Sequence, residues 1–163
     1  MTTLALYSNK GGVGKTAAAV NLSYLASRMG TKTLICDLDP QGSATYYFRV
    51  KPKLKSGPKG FARGAKGVYK SVKGTDFENL DILPADFSLR KLDVLYSKFG
   101  NSKIQLKKML CPFASEYRMI ILDCPVTIAI GRCVGSSEEI LGPTLSRNCT
   151  SQCSLLECET RKG

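Results

Sequence analysis

The chain has 163 residues and a formal net charge of +11 at pH 7. This length allows one sizeable hydrophobic core, so we expect a single domain. Hydrophobic residues make up 43% of the chain, which is ordinary for a soluble globular protein. No apolar run approaches the ~18 residues of a membrane span, and the N-terminus lacks a secretory signal. We therefore expect a cytoplasmic protein.

The first predicted elements are a strand over residues 2–7 and a helix over 16–29, with Gly30 at the helix stop position. A glycine-rich loop joins them. Glycines let the backbone curl so that N–H groups point at an anion, and the helix adds free N–H groups and the positive end of its dipole. Strand, loop and helix in this order are typical of a phosphate-binding loop. The predicted nucleotide-binding residues are Lys10, Gly11, Gly12, Val13, Gly14, Lys15, Thr16 and Ala17.

Two later strands are predicted to end in carboxylates. The strand over residues 31–39 ends in Asp37-Leu38-Asp39, and the strand over 119–124 ends in Asp123-Cys124. Ligands of an open α/β sheet bind at the carboxyl ends of its strands, so the carboxylates and the loop should share one edge. Lys15 can then reach the terminal phosphates, while Thr16 and Asp123 hold Mg²⁺. Asp37 is either a further metal ligand or the cap of the next helix.

A strongly basic segment follows the second strand. Residues 49–73 carry nine basic and no acidic side chains. These are Arg49, Lys51, Lys53, Lys55, Lys59, Arg63, Lys66, Lys70 and Lys73. Such a segment attracts polyanions through counterion release, or anionic lipid surfaces; the alternative is a solvated basic face. Non-specific DNA is the partner that we would test first.

The remaining predicted elements are helices over residues 61–72, 87–99 and 103–114 and a short strand over 80–83. Three cysteines, Cys36, Cys111 and Cys124, lie in or beside apolar segments and are predicted to be buried. Strands that alternate with helices predict an α/β fold with a mostly parallel sheet and helices on both faces.

The loop resembles the deviant Walker A motif of the ParA/MinD family of P-loop ATPases. Asn9 stands where the common pattern has its first glycine, and a second lysine, Lys10, opens the glycine run. The segment from Asp37 through Asp39 to Gly42 resembles the family's switch segment, and its Asp-Pro-Gln-Gly places the chain nearer the ParA side. Asp123-Cys124-Pro125 is similar to the Walker B ending, with Val126 where a second proline usually follows.

The resemblance implies a function and a set of roles. Lys15 and Thr16 would bind phosphate and Mg²⁺, Lys10 would act across an ATP-dependent homodimer, and Asp39 would orient the attacking water. ATP hydrolysis would switch dimerisation and surface attachment, so that a cargo is partitioned or positioned. The implied partners are a ParB-like protein or cargo adaptor and nucleoid DNA; a membrane is the alternative surface.

The resemblance covers residues 1–125, which we expect to form the N-terminal part of such a domain. Residues 126–163 contain no aromatic residue and four of the seven cysteines. We expect an irregular or degenerate tail, from a truncation or a shift of reading frame, and an incomplete sheet that exposes apolar surface and lowers solubility.

Two other functions stay open at this point. An ATP-dependent electron donor of the nitrogenase reductase type shares the loop and bridges an iron–sulfur cluster with cysteines after the Walker B strand, where Cys133 is a candidate. The third interpretation is an inactive fragment that binds DNA or a partner through residues 49–73. ATP turnover would separate this fragment from the ATPase.

Overall fold

The computed structural model describes residues 1–8, 10–53, 55, 66–91, 109–125 and 152–157. They form a six-stranded sheet of order β3-β4-β2-β5-β1-β6. The strands are β1 (Thr2–Tyr7), β2 (Thr33–Asp37), β3 (Lys73–Gly74), β4 (Leu80–Leu83), β5 (Met119–Asp123) and β6 (Gln152–Glu157). The four strands in the middle, β4-β2-β5-β1, pair in parallel, and both edge strands pair antiparallel to their neighbours. The predicted α/β fold with a mostly parallel sheet is confirmed.

The helices that the structure describes are short, apart from the first. They are α1 (Lys15–Arg28), α2 (Ser43–Tyr47), α3 (Lys66–Tyr69) and the 3₁₀ helices Phe87–Lys91 and Cys111–Phe113. Helix α1 turns small side chains, among them Ala19, Ser23 and Ser27, inward. The buried Ser23 hydroxyl donates to the Ala19 carbonyl at 2.7 Å. This bond lets a polar residue pack without an unpaired donor.

Two hydrophobic clusters cover the two faces of the sheet. Ala5 and Tyr7 of β1 belong to one cluster, and Leu6, between them, belongs to the other. This alternation is the period-two pattern of a strand that is covered on both sides. All five residues of β2 are buried, because β2 lies between β4 and β5. Sequence periodicity therefore predicted the central strands well.

The ends of several elements differ from the prediction. Strand β2 ends at Asp37 instead of residue 39. The backbone N–H of Asp39 donates to the Asp37 side chain at 3.3 Å, and Pro40, which has no N–H, follows. Helix α3 begins at Lys66, and residues 61–65 of that predicted helix lie outside the described part.

The other predicted helices are described only in part. The one expected from Phe87 begins as a 3₁₀ helix, and residues 92–100 are not among those described. The one expected over residues 103–114 ends as a 3₁₀ helix that contains Pro112. Its first residues, 103–108, are also outside the described part.

Two further predictions meet a different structure. Cys36 and Cys124 are buried, but Cys111 is exposed, so that prediction was wrong for Cys111, which begins a 3₁₀ helix next to Pro112. Residues 152–157, in the tail expected to be irregular, form β6 beside β1. The rest of the tail, with Cys133, lies outside the described residues. Among the helices described, none has the length and apolarity to cross a bilayer.

Candidate functional site

The glycine-rich loop leads from β1 into α1. Gly12 and Gly14 have φ of +72° and +84°, a backbone region that glycine enters at little cost. A Cβ on either residue would meet no heavy atom within 4 Å. Glycine is therefore required at these positions by the backbone conformation of the loop, and not by a lack of space for a side chain. Asn9 lies outside the described residues, and the Lys10 N–H donates to the Ser8 hydroxyl at 3.1 Å.

The N-terminus of α1 is open to an anion. Gly14 is its N-cap and supplies no side-chain cap, and the first turn carries no acidic residue. The intrahelical bond from the Ala18 N–H to the Gly14 carbonyl is 2.9 Å. The N–H groups of the helical residues before Ala18 have no carbonyl acceptor within the helix. These N–H groups and the helix dipole favour a phosphate at this position.

The predicted carboxylates converge at the same edge of the sheet. Asp37 is paired with Asp123 in the register of β2 and β5, and Leu6, at the end of β1, is paired with Asp123 from the other side. The phosphate-binding loop begins just after β1. The prediction that the loop, Asp37 and Asp123 meet at the carboxyl edge of the strands agrees with this geometry.

Asp123 is a buried carboxylate with one oxygen to spare. Its exposed fraction is 1%, and Oδ2 has no hydrogen-bond partner within the described part of the chain. Burial raises the pKa of the Asp123 carboxyl to about 6, and the charges of Asp37 and Asp39 raise it too. A hydrogen bond from the Thr16 hydroxyl and the charge of Lys15 act in the opposite direction. The side chains of Asp37, Asp39, Thr16 and Lys15 therefore all lie close enough to Asp123 to influence its pKa.

Asp37 is equally buried but differently engaged. Its Oδ2 accepts hydrogen bonds from the Thr45 N–H and the Thr45 hydroxyl, both at 2.7 Å. Desolvation raises the pKa of Asp37 to about 6, against the lowering effect of the bonds from Thr45. Of the two interpretations left open by the sequence, these contacts favour the helix cap, because Thr45 lies in the first turn of α2. Thr45 could not be predicted as part of the site, since no sequence motif singles out this threonine.

Asp39 follows β2 in a tight turn. Its Oδ1 accepts the Gln41 N–H at 2.9 Å, and its carbonyl accepts the Gly42 N–H at 2.9 Å. Gly42 has a φ of +68°, a left-handed backbone conformation that favours glycine in a turn. Asp39 is half-buried and near enough to raise the pKa of Asp123, so its carboxylate lies at the rim of the site.

The donor set at this edge suits a hard divalent cation. Mg²⁺ takes oxygen ligands and is commonly bound by one or two protein oxygens together with phosphate and water. The unpaired Oδ2 of Asp123 and the Thr16 hydroxyl beside it supply such oxygens. No cluster of three or more His, Cys, Asp or Glu side chains that could hold a metal occurs among the described residues.

Residues 1–141 match the AAA domain family. The sporulation initiation inhibitor protein Soj of Bacillus subtilis is 31% identical over 128 residues, which cover 78% of this chain and 51% of Soj. An McdA variant from Cyanothece, solved as its ATP complex, superposes with a TM-score of 0.71 at 25% identity. The match covers 83% of this chain and 53% of the McdA chain.

The septum site-determining protein MinD of Pyrococcus horikoshii, complexed with Mg-ADP, gives a TM-score of 0.59 at 28% identity, over 76% of this chain and 49% of MinD. The chain thus spans about half the length of the relatives that it matches. The family match ends at residue 141, beyond Pro125, where the recognisable motifs end. The chain belongs to the AAA domain family and, within it, to the ParA/MinD-like P-loop ATPases.

Proposed function

We propose that this chain binds Mg-ATP at the N-terminus of α1 and hydrolyses it, as part of a partitioning or positioning ATPase. One observation carries the proposal. The open helix N-terminus, the Thr16 hydroxyl and the unpaired oxygen of Asp123 lie at one edge of the sheet. A phosphate chain would supply an anion to the helix N-terminus, and its cation would supply positive charge to the Asp123 carboxylate. The ADP and ATP complexes of MinD and McdA support the same ligand.

Each residue of the site then has a task. The N–H groups of residues 11–17 hold the phosphate oxygens, and the Lys15 ammonium balances the charge of the terminal phosphates. Thr16 and Asp123 hold the Mg²⁺, which neutralises phosphate charge during transfer. Asp39, at the rim, orients the attacking water. Asp37 is left out of the ligand set because its oxygens already accept bonds from Thr45 and Asp39.

The proposal includes a second copy of the chain. Lys10 is exposed, as a lysine that reaches the phosphates of a partner subunit must be, and an additional cation there would stabilise charge in the transition state. The working cycle would be an ATP-dependent homodimer in the cytoplasm that is stimulated by a ParB-like or cargo-adaptor protein. MinD is a septum site-determining protein, which supports a positioning role.

The direct test is a titration of the purified chain with ATP and Mg²⁺, read by calorimetry and by light scattering for oligomeric state. We expect saturable binding that depends on Mg²⁺, a shift from monomer to dimer with a non-hydrolysable analogue, and turnover of ATP. Binding that is absent at millimolar ATP in a folded sample would remove the proposal. Binding with no turnover would favour the inactive fragment.

A second candidate function, binding of non-specific DNA, is favoured by the arrangement of the basic segment. The Lys55 N–H donates to the Ser71 hydroxyl at 2.9 Å, and the Lys73 ammonium donates to the Lys51 carbonyl at 2.9 Å. These bonds bring Lys51 and Lys55 beside Ser71 and Lys73, so basic residues from the two parts of the segment lie together. Concentrated positive charge is the electrostatic feature that attracts duplex DNA.

Binding to random duplex DNA should be strongly dependent on salt. Replacement of Lys51, Lys53 and Lys70 together by Gln should weaken binding and flatten the plot of log K against log salt. The slope should fall by about 0.9 for each phosphate that the variant no longer neutralises. Fluorescence anisotropy over a series of salt concentrations measures both quantities.

The matched control replaces three exposed basic residues elsewhere, Arg28, Lys91 and Arg118, by Gln. This variant has the same net charge as the first, so a general effect of charge would weaken both equally. An equal loss of affinity in the two variants, or a flat salt response of the wild type, would contradict a DNA surface at the basic segment.

A further inference from the structure

A chain of buried hydrogen bonds ties three segments together beside the site. The Ala85 N–H donates to the Thr45 hydroxyl oxygen at 2.8 Å, and that hydroxyl donates to Asp37 Oδ2 at 2.7 Å. Asp37 and Thr45 are each 1% exposed. The chain therefore links the end of β2, the first turn of α2 and the loop after β4 without contact with solvent.

This hydrogen-bond chain closes the loop that carries Asp39. Asp37 accepts the Thr45 N–H through Oδ2 and the Asp39 N–H, at 3.3 Å, through Oδ1. The loop formed by residues 38–44 is therefore hydrogen-bonded to the Asp37 carboxylate near its start and at its end. Gly42, within this loop, packs against the neighbouring segment, because a Cβ built on it would lie 3.5 Å from the Ala85 Cβ. The backbone on both sides of Asp39 is held by one carboxylate.

The Thr45 hydroxyl does more than a helix cap needs. The bond from its backbone N–H to Asp37 already caps α2. The hydroxyl adds a second bond to the same oxygen and satisfies the Ala85 N–H, which belongs to the segment after another strand. A buried donor without a partner would destabilise this packing. The hydroxyl therefore holds the Asp39 loop against the rest of the sheet edge.

We propose that Thr45 is a positioning residue for Asp39 in ATP hydrolysis; this inference rests on the proposed function. The hydroxyl of Thr45 contacts neither the phosphate-binding loop nor Thr16 in the bonds described. Its removal should leave nucleotide affinity intact and lower the rate of hydrolysis, because the loop that presents Asp39 loses its anchor.

The experiment compares Thr45→Val, which removes the hydroxyl and keeps the shape, with Thr45→Ser, which retains it. We expect Thr45→Val to lower kcat at least tenfold with a Kd for Mg-ATP within twofold of wild type, and Thr45→Ser to keep kcat within threefold. The matched control is Thr33→Val, at the opposite end of β2. Thr33 is also fully buried, and its hydroxyl donates to the Thr31 carbonyl at 2.8 Å. This variant should keep kcat.

Equal kcat values for Thr45→Val and Thr33→Val, or an equal loss of kcat in Thr45→Ser and Thr45→Val, would overturn the inference while the ATPase itself stands. A wild-type chain that turns over no ATP would overturn both. Amide hydrogen exchange provides a readout that requires no variant, should Thr45→Val fail to fold. We expect the Ala85 amide to exchange as slowly as the amides of β2; exchange at the rate of an exposed loop amide would refute the anchor.

Discussion

Replacement of Lys15 by Ala should weaken the binding of Mg-ATP by this chain and abolish its turnover. Lys15 is the first residue of α1 and acts electrostatically on Asp123 at the bottom of the site. A charge-assisted hydrogen bond to phosphate contributes about 1.5–3 kcal/mol, and about 1.4 kcal/mol is a factor of ten in affinity. We expect Kd to rise by about 10- to 100-fold in calorimetry, with turnover abolished.

Lys10→Ala is the matched control, because it removes a lysine from the same loop. Lys10 is exposed and is proposed to act on the phosphates of a partner subunit, so a single subunit should bind ATP without it. We expect Kd within a few-fold of wild type and no turnover. An equal decrease of affinity in the two variants would mean that the loop acts only through total charge, and unchanged turnover in Lys10→Ala would exclude action across a dimer.

Replacement of Asp123 by Asn should weaken the response to Mg²⁺ and stabilise the nucleotide-free chain. The carboxylate has a buried oxygen without a partner among the described residues, so its charge is costly until a cation arrives. Asn lacks that charge and is a poorer ligand. We expect the Mg²⁺ concentration for half-maximal ATP binding to rise at least tenfold, and chemical denaturation to show a higher free energy of unfolding at pH 7.

The stabilisation should depend on pH in a defined window. The pKa of Asp123 is raised from 3.8 to about 6 in the folded state, so the folded state binds this proton more tightly than the unfolded state. Wild-type stability therefore loses this contribution as pH rises from about 4 to about 6. The advantage of Asp123→Asn should grow over that range and level off above it, at a value on the order of 3 kcal/mol.

Asp37→Asn is the control for the metal effect. Asp37 lies opposite Asp123 on the neighbouring strand and has a similarly raised pKa, but its oxygens accept bonds from Thr45 and Asp39. The Mg²⁺ requirement of this variant should match that of wild type. A rise equal to that of Asp123→Asn would return Asp37 to the set of metal ligands and count against its role as the cap of α2.

Much of the fold and part of the site could be predicted from local sequence. The glycine pattern predicted the loop because φ near +72° and +84° at Gly12 and Gly14 is a local backbone property that few other residues adopt. The apolar runs predicted the central strands because both faces of a parallel sheet are covered. The ends of β2 and β5 predicted that Asp37 and Asp123 would meet, since parallel strands bring their carboxyl ends to one edge.

The tertiary structure decided which of these carboxylates keeps an oxygen without a hydrogen-bond donor among the described residues. Asp37 and Asp123 look alike in sequence, as acidic residues at the ends of buried strands. They differ because Thr45 and the backbone of Asp39 donate to Asp37, while Oδ2 of Asp123 is left without a donor in the described structure. The same holds for the basic segment, in which contacts of Lys55 with Ser71 and of Lys73 with Lys51 bring distant residues together.

The sequence by itself therefore determined the glycine-rich loop, the α/β class and the family, because these depend on residue type and short spacing. The tertiary structure alone decided the partners of each buried polar group, the anchor that Thr45 provides to Ala85 across 40 positions, and the pairing of β6 with β1. Hydrogen bonds between residues far apart in the chain depend on the order of the strands in the sheet, and local sequence patterns do not reveal that order.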